Sequence, residues 1–364
     1  MKATVTPVIE FPEPPRAVCL VRLSAIGDVS HVVPVVRTLQ HYWPDTRLTW
    51  IVGRVEAGLV GDLPGVEFIR YDKAGGLRSW LALRRELRGR RFDLLLQMQT
   101  AMRAATVGAA VPARLRLGYD RDRSREGHSL VINRRVAPHP RYHVLDGFFD
   151  FPRALGMDER ILRWDIPVPD DARAFAAQHL PDAEAVLAIN PASSVRPFNY
   201  RNWVPERYAA VADHAVRRHG MRVVLTGGPS AGERELADAI VASMQTPVID
   251  LVGRTSLKQL LAVLERSSAL IAPDTGPAHI GTAAGIPVIG LYGTSNPDRT
   301  GPYLSRQWVV NRYPENLERY CGVTVEHARW GMRVRHADAM RAITVEDVTE
   351  RLAAVMEARS GRGS

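Results

Sequence analysis

Ala17-Val18-Cys19-Leu20-Val21-Arg22-Leu23, running into Ser24-Ala25-Ile26-Gly27-Asp28, is the stretch on which the fold turns. Its first seven residues are almost continuously apolar and end in small, turn-prone ones, the pattern of a strand buried on both faces of a parallel sheet. Beyond the Gly27-Asp28 turn, Val29, Val32, Val33, Val36 and Leu39 recur at helical spacing, with Pro34 expected as a tolerated kink. Strand and helix then alternate: Leu48 to Val52, Val66 to Ile69 and Phe92 to Leu96 read as further strands with helical segments between them. Such alternation predicts an α/β fold with a parallel sheet.

The segment from Ile161 to Asp171, stiffened by Pro167 and Pro169, reads as an interdomain linker. After it the alternation restarts. Strands are expected at Ala185 to Ile189, Arg222 to Leu225, Pro247 to Leu251, Ala269 to Ala272 and Val288 to Leu291, with helices at Val204 to His219 and Leu257 to Glu265. At 364 residues the chain exceeds what one core usually organises. Two Rossmann-like domains follow, over residues 1–165 and 172–342. Residues 343–364 are expected to form a terminal helix, able to cross back to the first domain, and a frayed tail. Residues 314–339 are polar and arginine-rich and interrupt the path to that helix as an extra loop or hairpin.

The formal charge of +9 and pI near 9.9 come almost entirely from arginine, whose planar fork suits phosphate and carboxylate partners. No zinc-ligand spacing, RNP-like aromatic motif or basic-region zipper accompanies that charge, so nucleic acid is not the expected partner. Cys19 and Cys321 alone offer neither a disulfide framework nor a metal cluster, which fits a reducing cytoplasm. The opening fifteen residues lack the apolar core of a signal peptide, and no stretch approaches the roughly 20 apolar residues of a membrane span. Any membrane contact is expected to be peripheral.

Ligands of doubly wound sheets bind beyond the carboxyl ends of the strands. One such end, Pro273-Asp274-Thr275-Gly276-Pro277-Ala278-His279, opens a helix and has the layout of a phosphate site. Thr275 and Gly276 present backbone N–H groups, Pro277 fits the first turn, and His279 follows one turn along. The bland alternative is an ordinary turn with Asp274 as N-cap. A second end carries Asp28 without the G-x-G-x-x-G fingerprint, which leaves a general base or a plain N-cap as its two readings. A third is Asn190-Pro191-Ala192-Ser193-Ser194 with Arg196 and Arg201-Asn202-Trp203 after it, where hydroxyls and a guanidinium could meet a diphosphate. Thr226-Gly227-Gly228-Pro229 adds a loop that lets backbone approach a nucleotide, or simply turns.

Taken together, Arg22 to His31, Arg201-Asn202-Trp203, Asp274 to His279 and Leu291-Tyr292-Gly293-Thr294-Ser295-Asn296-Pro297 resemble glycosyltransferase family nine, whose best-known members are ADP-heptose:lipopolysaccharide heptosyltransferases. The resemblance spans nearly the whole chain. It implies a GT-B fold, with two Rossmann-like domains whose parallel sheets face a central cleft, an acceptor-binding first domain, a donor-binding second domain and inversion at the anomeric carbon. It makes Asp28 the catalytic base and Asp274, Thr275, Gly276 and His279 donor contacts, to which Ser193, Ser194 and Arg201 add. On the acceptor side it points to Ser24, Gly27, Arg125 and His143. Arg201 departs from the lysine that relatives often carry before an x-Trp pair, and Lys258 lies near where some carry a ribose-binding glutamate.

The expected reaction moves a heptose or related sugar from an ADP-sugar to the anionic inner core of a lipid A precursor. It is expected to need no cofactor and no metal. Two rivals share the architecture. A nucleotide-sugar 2-epimerase would turn donor over without acceptor, and a non-enzymatic nucleotide-sugar-binding protein would hold donor and leave it intact.

Overall fold

Strand and helix alternate as the apolar pattern demands, and the chain divides into two units, Met1–Pro167 and Val168–Ser364. The structure, a computed structural model, describes residues 9–180, 185–193 and 199–361. In the first unit six parallel strands form one sheet: β1 (Ala17–Val21), β2 (Arg47–Gly53), β3 (Val66–Tyr71), β4 (Phe92–Gln97), β5 (Ala113–Gly118) and β6 (Arg134–Arg135), in the order β3-β2-β1-β4-β5-β6. β1 is central and buried throughout, with Val18 facing Leu48 on one side and Leu94 on the other. Burial on both faces is why its residues need no polar alternation.

The second unit repeats the plan with β7 (Val186–Ile189), β8 (Arg222–Leu225), β9 (Ile249–Asp250), β10 (Ala269–Pro273), β11 (Val288–Tyr292) and β12 (Val310–Asn311), ordered β12-β11-β10-β7-β8-β9. Counted along each half, the two orders are the same doubly wound topology. Each sheet therefore reverses its strand order once, between β1 and β4 in the first unit and between β7 and β10 in the second. Loops that diverge at such a point leave a crevice for a ligand. The loops leaving these four strands carry Arg22 to Ala25, Met98 to Ala101, Asn190 to Ser193, and Asp274 with Thr275.

Several sequence expectations change in detail. β5, β6 and β12 were not foreseen. In β5, Arg114 and Arg116 alternate with apolar residues, and Arg116 is half-buried and donates to the carbonyls of Gly108, Val111 and Val131 at 2.7, 2.7 and 3.0 Å. Burial lowers its pKa from the ordinary arginine value. The linker ends earlier than its prolines suggest, because Pro169 is the N-cap of a helix, Asp170–His179, whose first turn holds Asp170 and Asp171. Carboxylates there complement the helix dipole. Pro34 does not end its helix, which runs unbroken over Ile26–Tyr42.

The terminal helix Val345–Ser360 serves the second unit: Val348, Leu352 and Val355 join the core built around Leu187, Ile271 and Ile289, and the helix packs on Pro205–His219. Those three buried residues are its apolar face. Residues 314–339 are neither bare loop nor hairpin. They include most of a helix, Tyr313–Cys321, and close a small core of Tyr313, Leu317, Ala328, Val334 and Ala339. Val334 N–H donates to the Thr294 carbonyl at 2.9 Å, which pins the segment beside the carboxyl end of β11.

Candidate functional site

Asp28 is the third residue of the helix that follows β1. The N-cap is Ala25, which has no side chain to cap with, so the capping role that competes with a chemical one falls away. Arg22 donates through Nη2 to one Asp28 carboxylate oxygen, and among the described residues the other oxygen accepts no hydrogen bond. The Asp28 side chain remains 34% exposed, enough for a ligand to reach it. Arg22 is itself fastened: Nη1 donates to the Met98 carbonyl at 2.7 Å and the guanidinium lies over the Phe148 ring at 5.0 Å. A pinned cation thus fixes the rotamer of a carboxylate whose second oxygen is open.

The loop between β1 and Asp28 is held from the neighbouring strand. Gln99 Oε1 accepts from the N–H groups of Leu23 and Ser24 at 2.7 and 3.3 Å, and its Nε2 donates to Ser24 Oγ at 3.3 Å. The Ser24–Ala25 peptide is cis. Gly27 is buried, and its carbonyl accepts from Ser30 Oγ at 2.7 Å. Arg125 is exposed next to this edge, at the start of a turn in which Glu126 and Gly127 both adopt positive φ. Glu126 Oε2 there caps the next helix by accepting from Met102 N–H at 2.8 Å.

His143 also has a structural role. It is 2% exposed and is the N-cap of Val144–Ala154, where Nδ1 accepts from Leu145 N–H at 3.1 Å. Its ring also packs edge-on to His31, with centroids 5.6 Å apart. The ring therefore builds a helix start. Arg123 is likewise internal: it binds Asp120, Asp150 at 2.6 Å and the Ala137 carbonyl at 2.8 Å, and stacks on Tyr119 and Tyr142.

His128 supports the same edge. Its Nε2 accepts from Tyr119 N–H at 3.0 Å, so Nδ1 carries the proton and donates to the Gln99 carbonyl at 3.2 Å. Burial lowers its pKa from the ordinary 6.5. The folded state then binds the proton less readily than the unfolded chain, and its contribution to stability is full above pH 6.5 and is lost as pH falls through the folded value. The thermal midpoint of the wild type is expected to decline below pH 6.5 with a slope that His128→Gln reduces. Equal slopes in a differential scanning calorimetry series would remove His128 as the cause.

In the second unit the helix Gly276–Ala283 starts directly after β10. Its N-cap is Thr275, in extended conformation and with no side-chain cap bond, so Asp274 stands one residue before the cap and does not cap. Asp274 is 5% exposed. Its Oδ2 makes no hydrogen bond among the described residues, but lies 3.6 Å from Arg201 and 3.8 Å from Arg333. Arg201 also donates to the Asp274 carbonyl at 2.9 Å and from Nε to Asn199 Oδ1 at 3.1 Å. Pro277 occupies the first turn, and His279 is 9% exposed one turn along. An uncapped helix start flanked by two guanidiniums is a place where anionic oxygens gain on entering.

Ser193 is buried, and its hydroxyl is shared with Asn199 and Asn202 at 2.9 and 3.0 Å, while its N–H donates to Asn202 Oδ1 at 2.9 Å. It orders the segment that carries Arg201. Ser194 and Arg196 lie outside the described residues. Trp203 is buried with Nε1 donating to the Ile343 carbonyl at 3.1 Å, which anchors that segment to the residues before the terminal helix. Gly228 N–H donates to Glu233 at 2.9 Å in a capped turn, and Lys258 is the second residue of Leu257–Glu265, behind a Ser256/Gln259 capping box.

Arg22, Gln99 and Arg333 are the residues that motif reading left without a role. Arg22 was visible beside Asp28, but its aim follows only from Met98 and Phe148. Arg333 comes from residues 314–339 and is placed by the Val334 bond to Thr294. Among the described residues no group of three His, Cys, Asp or Glu side chains is arranged to hold a metal.

The family profile described as Glycosyltransferase family 9 (heptosyltransferase) matches residues 80–324. The lipopolysaccharide core heptosyltransferase OpsX of Haemophilus influenzae is 38% identical over 338 residues, covering 93% of this chain and 96% of that protein. Among solved structures, a family 9 glycosyl transferase from Veillonella parvula superposes with a TM-score of 0.77 at 22% identity, covering 94% and 97% of the two chains. Escherichia coli heptosyltransferase WaaC with ADP gives 0.72 at 20% identity over 93% and 99%. The two doubly wound sheets accord with these neighbours as the GT-B fold, and the extent of the first two matches decides the family: this chain is a member of glycosyltransferase family 9, the heptosyltransferases.

Proposed function

We propose that this chain transfers a heptose from ADP-heptose to an anionic lipopolysaccharide inner-core acceptor, by single displacement with inversion and without a metal. The acceptor oxygen bonds to the anomeric carbon as that carbon's bond to the diphosphate oxygen breaks. The proton passes to Asp28, and the electron pair leaves on ADP. An alcohol is too weak an acid to ionise beforehand at neutral pH, so the carboxylate acts as positive charge grows on the attacking oxygen. The departing diphosphate is met by the Thr275-Gly276 helix start, Arg201 and His279. Ser24, Gly27 and Arg125 border the acceptor on the Asp28 side.

The observation that carries this reading is the state of Asp28: held by Arg22 through one oxygen, open at the other, and relieved of capping. The 38% identity with a lipopolysaccharide core heptosyltransferase supports the sugar and the acceptor class. No helix among the described residues is long and apolar enough to cross a membrane, and the proposal places the protein on the cytoplasmic face, peripheral to the bilayer that carries its acceptor.

The test is a panel of nucleotide sugars incubated with the protein, with and without inner-core acceptor, and read by mass spectrometry. ADP is expected from ADP-heptose only when acceptor is present. Donor turnover without acceptor would favour the epimerase reading, and donor retained intact with acceptor present would favour a binding protein.

A further inference from the structure

Of the eight large apolar side chains exposed among the described residues, four fall on three adjoining elements of the first unit. Leu77 and Leu81 are 70% and 43% exposed on the helix Gly76–Glu86, Met102 is 54% exposed at the start of the helix Met102–Ala110, and Leu130 is 88% exposed on the single turn His128–Leu130. The two helices pack on each other, and the second also packs on the turn. Trp80 Nε1 donates to the Thr106 carbonyl at 3.0 Å, which ties the helices together.

The apolar residues are not spare core. Leu83 and Leu87 fill the inner face of the first helix, together with Ala104 and Val107 from the second, in the core under β1 and β4. Helical spacing turns Leu77 and Leu81 about 120° away from Leu83 and Leu87, toward the outside, with Arg84 and Arg85 on that side and Arg88 just past the helix end. Those arginines are exposed, as are Arg78 beside Leu77 and Arg103 beside Met102. Arg84 lies over the Trp80 ring at 5.1 Å. Within residues 76–91 the one acidic side chain is Glu86, half a turn of the wheel away from the leucines. A patch of leucines fringed by arginines is costly in water unless something apolar and negatively charged covers it.

We infer that this flank docks on a bilayer containing anionic lipid, with Leu77, Leu81, Met102 and Leu130 reaching below the headgroups and the arginines pairing with phosphates. The inference rests on the proposed lipid-borne acceptor and adds where the protein meets the membrane. Charge selects the occupant: arginines near an anionic surface each strengthen binding by about fivefold. A second copy of this chain would bring its own arginines to the contact, and like charges repel.

The test is co-sedimentation of the full chain with vesicles of phosphatidylglycerol and phosphatidylcholine, against vesicles of phosphatidylcholine alone. Binding is expected to the anionic vesicles. Leu77→Asp/Leu130→Asp is expected to weaken it by about tenfold or more. The control Val241→Asp/Leu304→Asp, which changes exposed apolar residues of the second unit, is expected to bind as wild type does. Unchanged sedimentation of the first double variant, or equal wild-type binding to neutral vesicles, would overturn the inference. So would a concentration-dependent dimer, seen by light scattering, that Leu77→Asp/Leu130→Asp dissolves. Transfer to a lipid-free, water-soluble acceptor fragment separates the two readings. The double variant is expected to retain it, whereas a wild type that docks on vesicles but transfers nothing would sink the proposed function and leave the docking flank standing.

Discussion

Replacing Asp28 by asparagine is expected to lower kcat by about 10²–10⁴-fold, the usual worth of one positioned general base. Donor affinity should stay near that of the wild type, because the diphosphate contacts are assigned to other residues. The substitution is close to isosteric. Either end of the amide can face Arg22, but an NH₂ turned toward Arg22 would oppose a guanidinium, so the amide oxygen takes that side and the NH₂ points where the open carboxylate oxygen stood. The acceptor hydroxyl then meets a donor and loses its proton acceptor. Pre-steady-state kinetics with saturating donor would read the chemical step directly. Turnover within a few fold of wild type would remove Asp28 from the reaction and leave it as a helix-dipole residue.

Arg22 sharpens that test, since in the proposed reaction its part is to position the base. Arg22→Met keeps the contact with Phe148 and releases the carboxylate rotamer. A loss in kcat that Arg22→Lys partly restores separates positioning from mere support.

Much of the architecture was legible because parallel strands buried on both faces announce themselves as apolar runs. β1, β8 and β10 were found within two residues of their ends for this reason, and Leu257–Glu265 was found at its observed bounds. β5 was not, because Arg114 and Arg116 break its apolar run and nothing local tells that Arg116 spends its donors on three main-chain carbonyls. β12 has only two residues, too few for a period.

The site divides in the same way. Asp28, Asp274 and His279 could be singled out because they follow strands and open helices. Whether the two aspartates cap was not decidable from residue types, and the structure answers it through the backbone, which places the caps at Ala25 and Thr275. His143 shows the reverse case: nothing in its residue type or spacing announces that its Nδ1 caps Val144–Ala154. Arg333 was out of reach, since its approach to Asp274 depends on the irregular stretch that follows the helix Tyr313–Cys321.

Arg201→Ala has the second large expected effect, and it is felt twice. The Arg201 and Asp274 side chains are 16% and 7% exposed, so truncation strands a buried carboxylate for which, among the described residues, Arg333 at 3.8 Å is left in compensation. Removing one partner of such a pair costs about 3–5 kcal/mol of stability. Turnover is expected to fall by about 10²–10³-fold as well, the range seen when one charge-stabilising donor is lost. The two losses separate in Arg201→Ala/Asp274→Asn. Neutralising the stranded carboxylate should return most of the denaturant midpoint and none of the turnover, because no guanidinium has been restored to the diphosphate. Arg201→Lys should fall in between: an ammonium keeps the charge but cannot reach both Asn199 Oδ1 and the Asp274 carbonyl as the fork does. Recovery of turnover in the double variant would show that Arg201 acts only by balancing Asp274, and the leaving diphosphate would then have to rely on the helix start and His279.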